Sequence, residues 1–165
     1  MFRLLLRVNG VRVGMMQSDI QIVPMTQAHT AQIAALETVC FSDPWPEQSI
    51  ASELTNPLSL WLVAMDNDDV VGYIGSQSVL GEADIMNVAV SPAYRRRGIA
   101  VCLLNALQEA LSRENVYSLA LEVRASNDAA ICLYHKLGYV QVGRRPNYYH
   151  RPKEDALILR KEWAL

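Results

Sequence analysis

From residue 19 to residue 25 the chain reads Asp-Ile-Gln-Ile-Val-Pro-Met, and the apolar side chains fall on alternate positions. That alternation predicts a strand. Thr26 is placed to cap a helix through residues 27–40, and the stretch "FSDPWP" then breaks the pattern. A short helix over 47–54 follows, with Pro46 suited to its first turn. Residues 60–66 and 69–80 read as two strands joined by the turn "DNDD", an antiparallel hairpin. Residues 83–92 form another strand. The clearest helical signal comes after Gly98, where Ala100, Leu103, Leu104, Leu107 and Leu111 share one face. Residues 117–123 read as a strand, and Asn127 can cap a helix over 128–137 that Gly138 stops. Residues 139–145 and 155–163 supply the last two strands. Only the middle segment, strand–helix–strand–helix–strand, demands a parallel crossover. The fold class is therefore α/β, a mixed sheet with flanking helices.

At 165 residues the chain is expected to form one domain. The opening residues 1–14, "MFRLLLRVNGVRVG", are basic and partly apolar, without the longer apolar region or small-residue cleavage site of a signal peptide. The expectation is a loosely ordered N-terminal segment, with Met15 or Met16 opening a domain over 15–165; an extra strand is the alternative. Apolar residues make up 51% and charged residues 19%, an ordinary globular balance. No apolar run approaches the roughly 18 residues that would span a bilayer, so no membrane association is expected. A net charge of −2 argues against nucleic-acid binding through net charge alone. The three cysteines, Cys40, Cys102 and Cys132, are widely spaced and form no CxxC pair. They suggest neither a disulfide framework nor a zinc site, and read as buried reduced thiols of a cytoplasmic protein. His29, His135 and His150 show no ligand spacing and read as surface residues, so no metal is expected.

Against that acidic balance, "SPAYRRRGIA" places Arg95, Arg96 and Arg97 directly before Gly98. A strand runs into the turn at Ser91-Pro92, and Arg95 to Ala100 are expected to open the long helix. A helix start exposes unpaired N–H groups and the positive end of the dipole, where phosphates bind. Gly98 lets a ligand approach without a Cβ in the way, and the arginines add positive charge. At least one of them is expected to face solvent. A plain charged helix start is the competing interpretation. The pattern is neither a Walker loop nor G-x-G-x-x-G.

The run "NVAVSPAYRRRGIA" resembles the acetyl-CoA signature of the GCN5-related N-acetyltransferase (GNAT) superfamily. "LEVRASNDAAICLYHKLGY", "RRPNYY" and "FSDPWPEQSI" resemble one branch of it, the bacterial ribosomal-protein-alanine N-acetyltransferases. The resemblance covers roughly Ser18 to the C-terminus. It implies the GNAT fold: a central, mostly antiparallel mixed sheet in which two parallel strands splay apart, here "NVAVSP" and "LALEVRAS". It implies acetyl-CoA as cosubstrate, held by main-chain groups of Val88, Ala89 and Val90 and by the turn Arg96, Arg97, Gly98, Ile99, Ala100 and Val101. Asn127 has two compatible jobs, helix cap and contact to the cofactor. The implied acceptor is a protein N-terminus, the N-terminal alanine of small-subunit ribosomal protein eighteen.

The resemblance also implies Glu122 as base and Tyr134 as acid, acting by direct transfer. Strand alternation turns Ala120, Glu122 and Arg124 to one face; an exposed carboxylate on a half-open sheet explains Glu122 equally well. Tyr134 shares an apolar stripe with Ala130, Ile131 and Leu137, which also fits a core tyrosine. A covalent route through Cys132 is disfavoured, since side chains two apart on a helix do not face each other. Phe41, Pro44 and Trp45 either line the acceptor's path or pin a loop, and Tyr148 and Tyr149 either flank the peptide or form hairpin surface. The chain is expected to be a monomer without direct nucleic-acid contact. The alternatives are a small-molecule amine or a broader set of termini as acceptor, or a CoA- or ribosome-binding module without catalysis.

Overall fold

The computed structural model describes residues 20–164, so the expectations for residues 1–14 and for the start at Met15 or Met16 lie outside the described residues. The elements are β1 (Gln21–Pro24), α1 (Thr30–Cys40), α2 (Glu47–Ser52), β2 (Ser59–Asp66), β3 (Asp69–Val79), β4 (Glu82–Val90), α3 (Ile99–Arg113), β5 (Ser118–Arg124), α4 (Asp128–Lys136), β6 (Val140–His150) and β7 (Lys153–Glu162). The strands form one sheet in the order β1-β2-β3-β4-β5-β7-β6. All neighbours are antiparallel except β4 and β5.

Each face of the sheet carries a core. The helix α3 lays Ile99, Leu103, Leu104, Leu107 and Leu111 on one face, against Ile74, Ala83, Ile85, Leu119, Leu121 and Val123, with Tyr134 of α4 in the same cluster. The other face packs Ile33, Leu36 and Ile50 of α1 and α2 against Trp61, Val63, Tyr73 and Ala89. Burial of these side chains is the main stabilising term, at ~1.5–3 kcal/mol for each large aliphatic one.

Several expectations are corrected. The long helix begins at Ile99 rather than at Arg95; Pro92–Tyr94 form a 3-10 turn, and Gly98 is the N-cap at φ 77°. Ala100 is half-buried, because a Cβ tilts toward its helix's N-terminus and in the first turn points past the end. Residues 27–29 form a separate 3-10 turn, and His29 Nδ1 accepts from the Thr26 N–H at 3.0 Å, a half-buried capping role rather than a free surface one. Cys102 and Cys132 are exposed and Cys40 is half-buried, against the expectation of buried thiols. At 100° per residue, Cys102 falls outside the arc set by Ile99, Leu103 and Leu107. The strand β6 runs on through "PNYYH" to His150, and β7 inserts between β5 and β6.

Candidate active site

Parallel pairing of β4 with β5 is confined to Glu82–Asp84 against Ser118–Ala120. Beyond it β4 stays with β3 as far as Val90, and β5 stays with β7 as far as Arg124. The two strands therefore splay and leave a gap between them. A register shift leaves Met86 as an extra residue in β4: Gly75 pairs with Asn87 and Ser76 with Ile85. After the bulge, the Ser91 N–H bonds to Val71 O of β3 at 2.8 Å. Strand alternation then turns the N–H groups of Val88 and Val90 away from β3, toward the gap. The Val88 N–H meets the Asn87 Oδ1 at 3.2 Å.

At the end of β4 the arginines diverge. The Arg95 Nε donates to Val90 O at 3.2 Å, and its guanidinium lies 3.7 Å from the Cys40 Sγ. Arg97 stacks on the Tyr94 ring at 4.8 Å, and the Tyr94 hydroxyl is tied to Asp66 Oδ2 at 3.0 Å. Arg96 has φ 63°. The Cys102 N–H bonds to Gly98 O at 3.1 Å as the first regular turn, so the amides of Ile99, Ala100 and Val101 precede any intrahelical acceptor. A Cβ added at Gly98 would meet nothing within 4 Å among the described residues. Bare amides, a dipole end and open space are the features an anionic group needs. The Asn127 Oδ1 accepts from the Ala130 N–H at 3.1 Å, which satisfies its capping role.

On β5, Leu119, Leu121 and Val123 enter the α3 core, so Glu122 faces the opposite side of the sheet. Its side chain is 24% exposed and pairs with Arg145 Nε of β6 at 3.1 Å. Arg145 also lies over the Tyr148 ring at 5.7 Å. Tyr134 is buried edge-on to Tyr139 at 5.4 Å. Burial, helped by the field of Tyr149, pushes its phenol up to about 12. The Tyr149 phenol is likewise pushed up to about 12, first by burial, with Glu122 contributing. Tyr134 belongs to the cluster on the α3 face of the sheet, so its link to Glu122 on the other face runs through Tyr149.

Two loops meet beside it. The Ser42 hydroxyl of the α1–α2 loop donates to Arg151 O of the β6–β7 turn at 2.9 Å. The Arg124 guanidinium donates to Arg151 O at 2.9 Å and Pro152 O at 3.2 Å, pairs with Glu154 at 3.1 Å, and stacks on Tyr149 at 4.1 Å. Arg124 thus fixes the turn that Ser42 touches. Trp45 packs on Trp61 with ring centres 5.8 Å apart. A hollow of about 470 Å³ over the α1–α2 loop is lined by Pro44 and Trp45 but by none of the candidate cofactor residues.

Sequence reasoning missed Glu37, Asn87 and Arg145. Glu37 is fully buried on α1; it accepts from the Tyr73 hydroxyl, from Asn87 Nδ2 at 2.5 Å and from the Trp45 N–H at 3.0 Å. Burial pushes its carboxyl up from the ordinary range, against the pull of those three hydrogen bonds. Its signal was legible: a carboxylate at position 37 shares a helix face with Thr30 and Ile33. The partners of Asn87 and Arg145 depend on tertiary packing and carry no such signal.

The chain matches the acetyltransferase (GNAT) family model over residues 30–139. It is 40% identical to the [ribosomal protein bS18]-alanine N-acetyltransferase of Escherichia coli K12, over 70% of this chain and 79% of that protein. It is 36% identical to the N-alpha-acetyltransferase RimI of Mycobacterium tuberculosis, over 87% of this chain and 92% of that one. A similar match, 36% identical over 87% of this chain, spans only 41% of a longer uncharacterized protein of Mycobacterium leprae. The crystal structure of the ribosomal-protein-S18-alanine N-acetyltransferase of Escherichia coli superposes with a TM-score of 0.82 at 33% identity, covering 88% of this chain and 95% of that one. The splayed strands, the helix start beside them and these relatives agree: the chain belongs to the GNAT family and is an acetyl-CoA-dependent N-acetyltransferase.

Proposed function

We propose that the enzyme acetylates a protein N-terminal α-amine by direct transfer, and that its acceptor is the N-terminal alanine of ribosomal protein bS18. The 40% identity to the Escherichia coli enzyme of that name supports the acceptor. The observation that carries the α-amine is the Ser42–Arg151 contact, which joins the loops on the acceptor side. A chain end passes a closed rim more readily than an internal segment.

Acetyl-CoA, when bound, supplies an acetyl thioester. In this reading the amides of Ile99, Ala100 and Val101, with Arg96, Arg97 and Gly98, hold its diphosphate, while Asn127 touches it beside its capping bond. Val88, Ala89 and Val90 line the gap, where the Val90 N–H can donate to a carbonyl oxygen. Glu122 takes the amine's proton, directly or through a water, as nitrogen bonds to the acyl carbon and the carbon–sulfur bond breaks. An α-amine near pKa 8 needs little help near neutral pH, whereas lysine near 10.4 needs far more.

Tyr134 faces the departing sulfur. With its phenol at about 12, full proton transfer to a thiolate of about 8.5 is uphill by roughly 5 kcal/mol. Tyr134 therefore acts as the acid through a hydrogen bond to the developing thiolate rather than by full proton transfer. Phe41, Pro44 and Trp45 line one side of the acceptor's path, and Tyr148 and Tyr149 the other. The enzyme acts as a cytoplasmic monomer.

The test is thiol release with acetyl-CoA against peptides presenting Ala, Ser, Met or Lys. The alanine-first peptide derived from bS18 is expected to react fastest, and its Nα-blocked twin not at all. Comparable rates on lysine side chains or polyamines would remove this reading. The Mycobacterium tuberculosis relative, named only as an N-alpha-acetyltransferase, favours a second reading of several termini, which equal rates on Ala, Ser and Met peptides would establish.

A further inference from the structure

Glu37 is fully buried, yet among the described residues no cation is its partner. Burying a carboxylate without a cation is costly unless donors replace its water. Here three donors converge on two oxygens. The Trp45 N–H reaches Oε2 at 3.0 Å, Asn87 Nδ2 reaches Oε1 at 2.5 Å, and the Tyr73 hydroxyl meets Oε1. An ionised carboxylate, which only accepts, matches that set.

The three donors come from three places. Trp45 sits in the α1–α2 loop beside Phe41 and Pro44. Tyr73 is in β3, stacked on Trp61 at 5.7 Å with the rings 8° from parallel. Asn87 follows the Met86 bulge in β4, and its other side-chain atom, Oδ1, accepts from the Val88 N–H that faces the gap. One carboxylate thus links the loop on the acceptor side to an amide on the cofactor side.

We propose that Glu37 is a positioning residue for acetyl transfer: gripping the Trp45 N–H with one oxygen and Asn87 with the other, it fixes the separation between the acceptor loop and the Val88 amide. This rests on the reading that the thioester lies along Val88–Val90. Glu37 touches neither substrate. It acts through Asn87 and Trp45, where a misplacement of about 1 Å costs on the order of a hundredfold in rate.

A charge swap tests this. Glu37→Gln turns one acceptor into a donor facing donors, and Asn87→Asp sets two carboxylates against each other. Combined, the introduced glutamine amide donates to the introduced aspartate, whose second oxygen still accepts from the Val88 N–H. Each single substitution is expected to lower kcat at saturating substrates by about thirtyfold or more. The double is expected to return to within about threefold of the original, as coupled sites do, with CoA affinity constant throughout. A packing role alone would give no such rescue. Singles turning over within about twofold of the original, or a double no better than the poorer single, overturn the proposal.

Should Glu37→Gln fail to fold, Asn87→Ala at a half-buried position takes its place. It is expected to keep a cooperative fold at a lowered Tm and to lose about tenfold in kcat, and an unchanged kcat overturns the proposal. Ala100→Asp, measured alongside for CoA affinity, separates the two readings. If it loses CoA while the Glu37 and Asn87 variants turn over normally, only the positioning role fails. If it binds CoA as before, the cofactor reading fails and takes the proposal with it.

Discussion

Glu122 and Tyr134 reach their places by different means. Glu122 gets there by strand parity, on the face opposite the α3 core, and meets Arg145 at 3.1 Å. Tyr134 gets there by helix periodicity and is buried edge-on to Tyr139. In the proposed reaction Glu122→Gln removes the proton acceptor and keeps the shape. Its kcat should fall about a hundredfold or more, with Tm retained. Tyr134→Phe should fall less, by roughly tenfold to a hundredfold, because a hydrogen bond to sulfur is lost rather than a full proton transfer. Thiol-release kinetics with melting curves check both, and unchanged turnover in the two variants would remove both roles.

The tyrosines also predict alkaline behaviour. Tyr134 and Tyr149 have folded-state phenols raised to about 12 by burial. The folded chain therefore binds more protons than the unfolded chain between about pH 10 and 12. Stability from these groups is fully present below about pH 10 and is lost as pH rises through 12. Ultraviolet titration should show these phenols ionising only as the protein unfolds, and normal titration near pH 10 in the folded state would contradict the burial.

At the scale of elements, α3 does two jobs. Its stripe anchors the helix to the sheet, and its first turn leaves amides free beside the gap. Leu103, fully buried at the centre of the stripe, should cost about 2–5 kcal/mol when changed to Ala, read by denaturant melts. Helices and hairpins were legible because their periods are local. The stripe from Leu103 to Leu111 and the turn between β2 and β3 follow from neighbouring residues. The place of β7 between β5 and β6 was not legible, since pairing of Leu121 with Leu159 joins residues that no local period links. The helix start was read too early because the arginine run carries charge but no helical geometry, and Gly98 at φ 77° marks the true cap. Glu37 was legible as a carboxylate on a buried helix face, but its role was not, because its partners Asn87 and Trp45 reach it from other elements.

For the whole molecule, the sheet has two halves joined at one short parallel contact. The half from β1 to β4 is covered on both faces by α1, α2 and α3, while the half made by β5, β7 and β6 carries Glu122 and Tyr149. Splaying of the halves opens the gap, and the Ser42–Arg151 contact joins the α1–α2 loop to the β6–β7 turn. In the proposed reaction, function depends on a phosphate-bearing ligand entering beside the start of α3. Titration calorimetry with CoA on the native chain and on Ala100→Asp tests this most directly. An aspartate in the first turn suits the helix dipole, so Tm should hold or rise, while its charge repels a diphosphate. The account predicts measurable CoA binding by the native chain, weakened about tenfold or more, ~1.4 kcal/mol, in the variant; equal affinity in both would contradict it.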